Sequence, residues 1–497
     1  MPFPKIIAKT GAEKLNASLF VVISVLVTGI LTGIAIGKFG LLAGFGLIGL
    51  PVGLLFVGWM FSTPQVGIVS SIFIGFFATG LARYVDGPWG LMLDFALFIG
   101  WLALLFHKFK ETDWSPLRHG TMRVTLIWFL YLILELGNPE SNGLECWFYA
   151  MRTAGFYQLL SFGLAFMWWR DVKYLDFFLK IMAWLSLLGA IWGLKQHNGI
   201  VDAAEFKWLY VDGNAQTHVL FGVLRVFSFY SDAGQFGGSQ AMVALCCFMV
   251  ASGGVVPKGQ RIFYGIVAVF TFIGFGISGT RGAVAIFAGG GVMYLVLSKN
   301  FKIMIIGGGL MVTAFVFLKY TKGLQGVEQV RRMRTSMNSD DPSLLVRVEN
   351  QRKFAAYLKS RPIGGGVGAA GFWGQRFGPY KLLATIPTDS YYVRVWAETG
   401  ILGICLHLLM FGYFIGRGGK ILWHLRDPVL KVKISAIYCS MAGVMLANYG
   451  NQVFSQQPTS ILMGFGIPLI MLAPLFEEQI AAKNREKAGN DSKNSAI

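Results

Sequence analysis

The sequence predicts an all-α fold, a polytopic integral membrane helix bundle of about 12–14 spans. Three observations carry this: 55 % of the 497 residues are hydrophobic, only 14 % are charged, and apolar runs long enough to cross a bilayer recur from end to end. So few charges cannot cover a soluble globule of this length, and the mean hydropathy of +0.57 agrees. Short polar links interrupt the runs and no tandem repeat is visible, so residues 1–497 read as one integral membrane domain.

Lys5, Lys9 and Lys14 precede an apolar run over residues 17–37. That run is long for a signal-peptide core and has no small-residue cleavage site, so it reads as an uncleaved first span. Further spans follow at 40–61, 65–83, 88–106, 122–137, 147–169, 174–194, 236–252, 261–278, 282–298 and 301–318, making eleven before residue 319. A long loop covers 319–398, three more spans lie at 399–416, 431–449 and 459–476, and a tail runs from 477 to 497. With the basic N-terminus in the cytoplasm, the inner links collect Lys108, Lys110, Arg170, Lys258, Lys299, Arg417 and Lys431, which puts both termini inside. The acidic link 139–145, the loop 195–235 and the long loop then face outward.

The formal net charge of +18 therefore follows the bias of cytoplasmic loops and does not point to nucleic acid. Of five cysteines only Cys146 sits in a link, so no disulfide framework is legible. The six histidines show no metal-ligand spacing and no cofactor motif appears, so neither metal nor cofactor is expected.

The long loop is basic, which suggests an anionic ligand or, alternatively, a solvated surface. Asp341-Pro342 reads as an N-cap with proline at the first helical position. A helix to about Ser360 would line up Leu345, Val348, Ala355 and Leu358, with Glu349 supporting Lys353. Gly364, Gly365, Gly366, Gly368 and Gly371 follow, as a phosphate cradle or a flexible hinge. In the spans, Asp94, Glu135 and Arg152 call for mutual pairing or a water-filled cavity.

Three landmarks in the later part of the chain go together: Arg225-Val226-Phe227-Ser228-Phe229-Tyr230-Ser231-Asp232 before a span, Ser278-Gly279-Thr280-Arg281-Gly282-Ala283 between two spans, and the long loop closed by residues 389–403. In order and spacing they resemble the O-antigen ligase and polymerase superfamily of bacterial membrane glycosyltransferases, over roughly residues 220–475. Ligases of that family close the loop with a histidine, then Asn, Ser or Gln, nine residues, a glycine, two residues, and Gly, Thr or Tyr. This chain keeps the spacing with Asp389, Ser390, Gly400 and Gly403, and places aspartate where the histidine stands.

The resemblance implies a GT-C-like fold in the bacterial inner membrane, with the long loop periplasmic. It implies transfer of a saccharide from a polyprenyl-diphosphate-linked donor to a saccharide or lipid A-core acceptor. Asp389 is then the candidate base, with capping of the next helix as the alternative. Arg225 and Arg281 are the candidates for the diphosphate, because a guanidinium fork matches phosphate oxygens and stays charged. Phe372, Trp373 and Tyr391 are candidates for stacking on sugar faces. Arg394 is expected to pair with a neighbouring acid and point away from Asp389; Glu398 reads as that partner or as an interfacial anchor. A polymerase of the same superfamily and a transporter of lipid-linked saccharides remain as alternatives.

Overall fold

The computed structural model describes residues 41–106, 112–220, 222–299, 301–321 and 342–494, with isolated residues in 26–38 and 323–334. Much of the first expected span, the N-cap Asp341 and much of 322–341 lie outside the described residues. Two compact units, residues 1–66 and 67–497, make up the chain. The first contains the apolar helix Leu41–Ser62, interrupted by no charge and containing Pro51.

The second unit is almost entirely helical, apart from a two-residue hairpin pairing Val219–Leu220 with Val223–Leu224. Among the described residues, eight helices are long and apolar enough to cross a membrane, or nine if the bent pair from Thr459 to Ala488 counts as one. Others of the expected 12–14 segments form shorter helices, such as Gln65–Leu81, break within the run, or include residues outside the described ones. At the centre stands Ala233–Ser252, 89 % of whose span is buried, beside Pro428–Ala447 at 78 %. Close approach of this core to Val284–Ser298 depends on Gly443, where a Cβ would lie 2.3 Å from the Ile286 carbonyl oxygen.

The segment expected as one span at 147–169 is two helices, Leu144–Met151 and Tyr157–Trp168, joined by a π-turn over Arg152–Phe156. That turn exposes the Ala154 carbonyl, which accepts a hydrogen bond from Trp128 Nε1 at 2.8 Å. It also directs Arg152 at Asp94, with Nη1 2.5 Å from Oδ2 and side chains 10 % and 23 % exposed. Glu135 instead accepts from Asn138 Nδ2 at 2.8 Å. Pairing, the first of the two expected solutions, thus applies to Asp94 and Arg152. Either Asp94→Leu or Arg152→Leu alone should lower stability by about 2 kcal/mol, and the double variant by less than the two singles combined, because each single change strands a partly buried charge. Thermal unfolding of the four proteins in one detergent checks this.

The long loop is structured where it is described. Helix Pro342–Leu358 buries Asn350, Phe354 and Leu358, and leaves Leu345 and Val348 exposed. The expected apolar stripe through Leu345, Val348 and Ala355 is therefore corrected: the buried face is set by Phe354, the largest apolar side chain available at that spacing. Glu349 lies 4.0 Å from Arg352, not opposite Lys353. Phe354 and Leu358 join Ala369, Ala370, Leu383, Ile386 and Ala397 in a small core that binds the loop to the start of helix Tyr391–His424.

The same loop grips the acidic link. Glu140 accepts from Arg361 Nε at 3.0 Å and Tyr357 Oη at 3.1 Å, while Lys381 Nζ donates to the backbone oxygens of Glu140 and Ser141. The Arg361 hydrogen bond, above all, holds the Glu140 carboxyl below its ordinary range. A lowered native value means the contribution is complete above the ordinary glutamate value of about 4.3 and is lost as pH falls below it. The melting-temperature gap between wild type and Glu140→Gln should therefore be present at about pH 6 and narrow as pH falls below about 4.3.

Candidate functional site

Three distant chain segments are brought to one end of the bundle by hydrogen bonds that their sequences make available. Residues 225–232 fold around Arg83, whose Nη1 donates to Ser228 O at 2.7 Å and whose Nη2 donates to Ser231 O at 3.3 Å and to Tyr230 O. The guanidinium lies over the Trp208 and Phe227 rings, 4.3 and 4.5 Å from their centres. Asp232 then caps helix Ala233–Ser252 by accepting from Gln235 N at 3.0 Å. Arg83 was not legible as a site-building residue; the only signal is a cation placed just after an apolar run.

Residues 278–283 pack against that helix start. Gly279 ends helix Lys258–Ser278 with φ 61°, and Thr280 Oγ1 donates to Ala233 O at 2.7 Å. Gly282 lies against the link after Pro428–Ala447, where a Cβ would be 3.2 Å from Gly450 O and 3.0 Å from Asn451 Nδ2.

The same link anchors the closing stretch. Tyr391 N donates to the carbonyls of Asn448 and Asn451, both at 3.0 Å, and Ser390 Oγ donates to Asn448 O at 3.1 Å. Gln452 Nε2 reaches Thr388 Oγ1 at 2.9 Å. Ser390 caps helix Tyr391–His424, so Asp389 is just outside the helix, with φ 24° and its side chain 43 % exposed. The capping alternative for Asp389 is thereby taken by its neighbour.

Helix Tyr391–His424 breaks at Gly400, whose φ of 64° and ψ of −165° are open to glycine. The break leaves carbonyls 397 and 398 without their helical donors, and the glycine cluster supplies them: Gly365 N donates to Ala397 O and Gly366 N to Glu398 O, each at 2.9 Å. These amides are spent inside the protein. Gly364, Gly365 and Gly366 therefore form a close backbone contact, with Gly364 so near that a Cβ would sit 2.4 Å from Gly400 N, while Gly371 has open space around it and lines the cavity described next.

Between the gathered segments lies a cavity of about 410 Å³, whose walls include Asp232, Phe372, Asp389, Arg394, Asn451 and Gln456. Asp389 and Phe372 of the expected site residues line it. Arg225 does not: it extends from the hairpin, with its backbone N–H on His218 O at 2.7 Å and Nη1 3.4 Å from Thr217 O. Arg281 is not in the wall either, though Gly282 beside it touches the Asn451 link. Trp373 stacks on Tyr149, ring centres 4.8 Å apart, and Tyr391 is 2 % exposed. Tyr391 faces a second, smaller space of about 20 Å³, shared with Trp128, Arg394 and Glu398.

Arg394 departs from expectation in one respect. It pairs with Glu398, Nε to Oε1 at 2.9 Å, yet it shares the cavity wall with Asp389. Helical spacing does not relate the two, because the helix starts at Tyr391 and Asp389 precedes its cap. Arg347, from helix Pro342–Leu358, places Nε 3.7 Å from Asp389 Oδ2. Neither arginine's place in the site was legible, since it follows from how the loop folds back. Among the described residues no three His, Cys, Asp or Glu side chains converge as a metal site would require.

Fold and site together define a multi-pass helical membrane protein with a polar, charged cavity at one end of its bundle. Residues 266–408 match the O-antigen ligase family, in line with the superfamily that the chain's landmarks resemble. The match takes in residues 278–283 and Asp389 but leaves out 225–232 and the Asn451 link. No curated protein gives a significant match to the chain.

Proposed function

We propose that the protein is a membrane glycosyltransferase of the O-antigen ligase and polymerase type. It transfers a saccharide from a polyprenyl-diphosphate-linked donor to an acceptor sugar hydroxyl at the outer face of the bacterial cytoplasmic membrane. The observation that carries the reading is the cavity bounded by Asp389, Asp232 and Arg394, inside a chain whose residues 266–408 match O-antigen ligase. It is roomy enough for part of a saccharide and lies at the end of a bundle built for lipid.

In the reaction, the acceptor oxygen bonds to the anomeric carbon as the bond from that carbon to the diphosphate oxygen breaks. Asp389 takes the acceptor's hydroxyl proton, and the lipid diphosphate leaves as an anion. Phe372, at the wall and 66 % exposed, offers a ring face to a sugar, whereas Trp373, stacked on Tyr149, and Tyr391, 2 % exposed, do not line this cavity. Fixed positive charge in a partly dry site balances the leaving group, so the reading requires no metal or cofactor.

Ligase and polymerase differ only in the acceptor. Purified full-length protein in nanodiscs, given a lipid-diphosphate oligosaccharide and an acceptor in the presence of a chelator, should form glycosidic product. Product on lipid A-core identifies a ligase, and longer chains still on the carrier identify a polymerase. Donor binding without turnover under every acceptor would overturn the reading in favour of a transporter.

A further inference from the structure

Helix Ala233–Ser252 has the polar cavity at its start and a second cavity, of about 330 Å³, at its end. Leu245 and Met249 in its last turns line this second cavity, with Gly291 and Leu295 from helix Val284–Ser298 and Ile306 and Met311 from helix Phe301–Tyr320. The gap follows from close packing on one side only. Gly307 brings Phe301–Tyr320 so near its neighbour that a Cβ would lie 2.6 Å from Leu295 Cδ2, so this helix leans on Val284–Ser298 and stands off from Ala233–Ser252. Phe248 and Ile306, also in the wall, are mostly exposed, so the cavity opens sideways towards lipid hydrocarbon.

The charge at this end of the bundle selects among lipids. No Asp or Glu occurs from residue 233 to residue 327, while Lys258, Arg261, Lys299 and Lys302 stand at the adjoining helix ends. Arg261 Nε donates to Ala251 O at 3.1 Å, which sets an exposed guanidinium one residue from Ser252, itself exposed and in the cavity wall. Carboxylates that other elements bring to the same end are engaged. Asp176 accepts from Lys433 Nζ at 2.5 Å, Asp427 from Leu430 N at 2.7 Å, and Glu477 from the backbone N–H groups of Arg426 and Asp427. An apolar slot bordered by cations takes an acyl chain together with an anionic headgroup.

We infer that this cavity binds an anionic phospholipid, with one acyl chain between helices Ala233–Ser252 and Phe301–Tyr320 and the phosphate of the headgroup at Arg261. The site is independent of the transfer reaction, which belongs to the other end of the bundle. Cytoplasmic loops collect cations in any membrane protein. What sets Arg261 apart from the exposed Lys420 is its tie to the residue beside the cavity wall.

The test is native mass spectrometry of the full-length protein released from detergent, titrated separately with phosphatidylglycerol, phosphatidylcholine and a polyprenyl phosphate. Wild type should bind phosphatidylglycerol at least about tenfold more tightly than phosphatidylcholine. Arg261→Gln should cut that preference about fivefold, the effect of one cation at a membrane surface, and Lys420→Gln less than about twofold. Ser252→Phe puts a ring into the slot and should weaken phosphatidylglycerol binding at least about tenfold, the equivalent of about two methylenes displaced. Ile306→Trp should do the same from an exposed position, and keeps the test decisive if Ser252→Phe fails to fold. Equal affinity of wild type for the two phospholipids overturns the headgroup site, as do equal losses in Arg261→Gln and Lys420→Gln. Wild-type binding in a folded Ser252→Phe or in Ile306→Trp overturns the cavity as the place of binding. Tighter binding of polyprenyl phosphate than of phosphatidylglycerol, lost in either slot variant, assigns the cavity to the carrier lipid instead. A dimer that either slot variant dissociates assigns it to a second copy of the chain, and overturns the inference equally.

Discussion

Asp389→Asn should lower glycosyl transfer by about 10²–10⁴-fold, the usual contribution of a positioned base, while donor binding changes little. Asparagine is the informative substitution. Asp389 has a positive φ of 24°, which asparagine tolerates better than alanine, so the change removes the proton acceptor and leaves the backbone in place. Ser390→Ala is the companion control. It deletes the cap on Val393 N, 3.4 Å away, and should cost about 1 kcal/mol of stability with turnover per folded molecule close to wild type. Transfer retained by Asp389→Asn would remove it as the base.

Gly400→Val should have the largest effect on folding, at least about 3 kcal/mol, enough to leave little monodisperse protein after purification. A Cβ at Gly400 would lie 2.0 Å from Pro362 O, and its φ of 64° excludes a β-branched residue. Moving that backbone would also break the bonds from Gly365 and Gly366 to carbonyls 397 and 398. Gly412→Val, in the same long helix with nothing within 4 Å of its Cβ position, should be mild by comparison. Equal melting temperatures for the two variants would contradict the close-contact account of the glycine cluster.

Much of the bundle was legible because lipid imposes a simple rule: a chain crossing it must be apolar and hydrogen-bonded within itself. Every expected span from residue 65 onward coincides with a helix or with two helices joined by a short turn. The helix beginning at Pro342 was legible from its proline and charge pattern, but its inward face was not, since Phe354 chooses the face through contacts with residues 369–397. At the site, Asp389 was legible from motif spacing and does line the cavity. Arg394 and Arg347 were seen in the sequence as ordinary members of a basic loop. Their place depends on a helix that starts two residues after Asp389 and on a loop that folds back over it, and neither is a local property of the sequence. Arg225 and Arg281 were drawn from a resemblance in order and spacing, which fixes where residues fall along the chain and not which way a loop turns them.

The cavity wall is assembled from both sides of the segment that matches the ligase family. Asp232 precedes residue 266, and Asn451 and Gln456 follow residue 408. A chimaera that exchanged only residues 266–408 with a relative would import Asp389 and its two arginines against a foreign opposite half. Substrate preference should therefore transfer only when residues 225–232 and 448–456 travel with the exchanged segment, which makes this chain's specificity a property of paired half-sites.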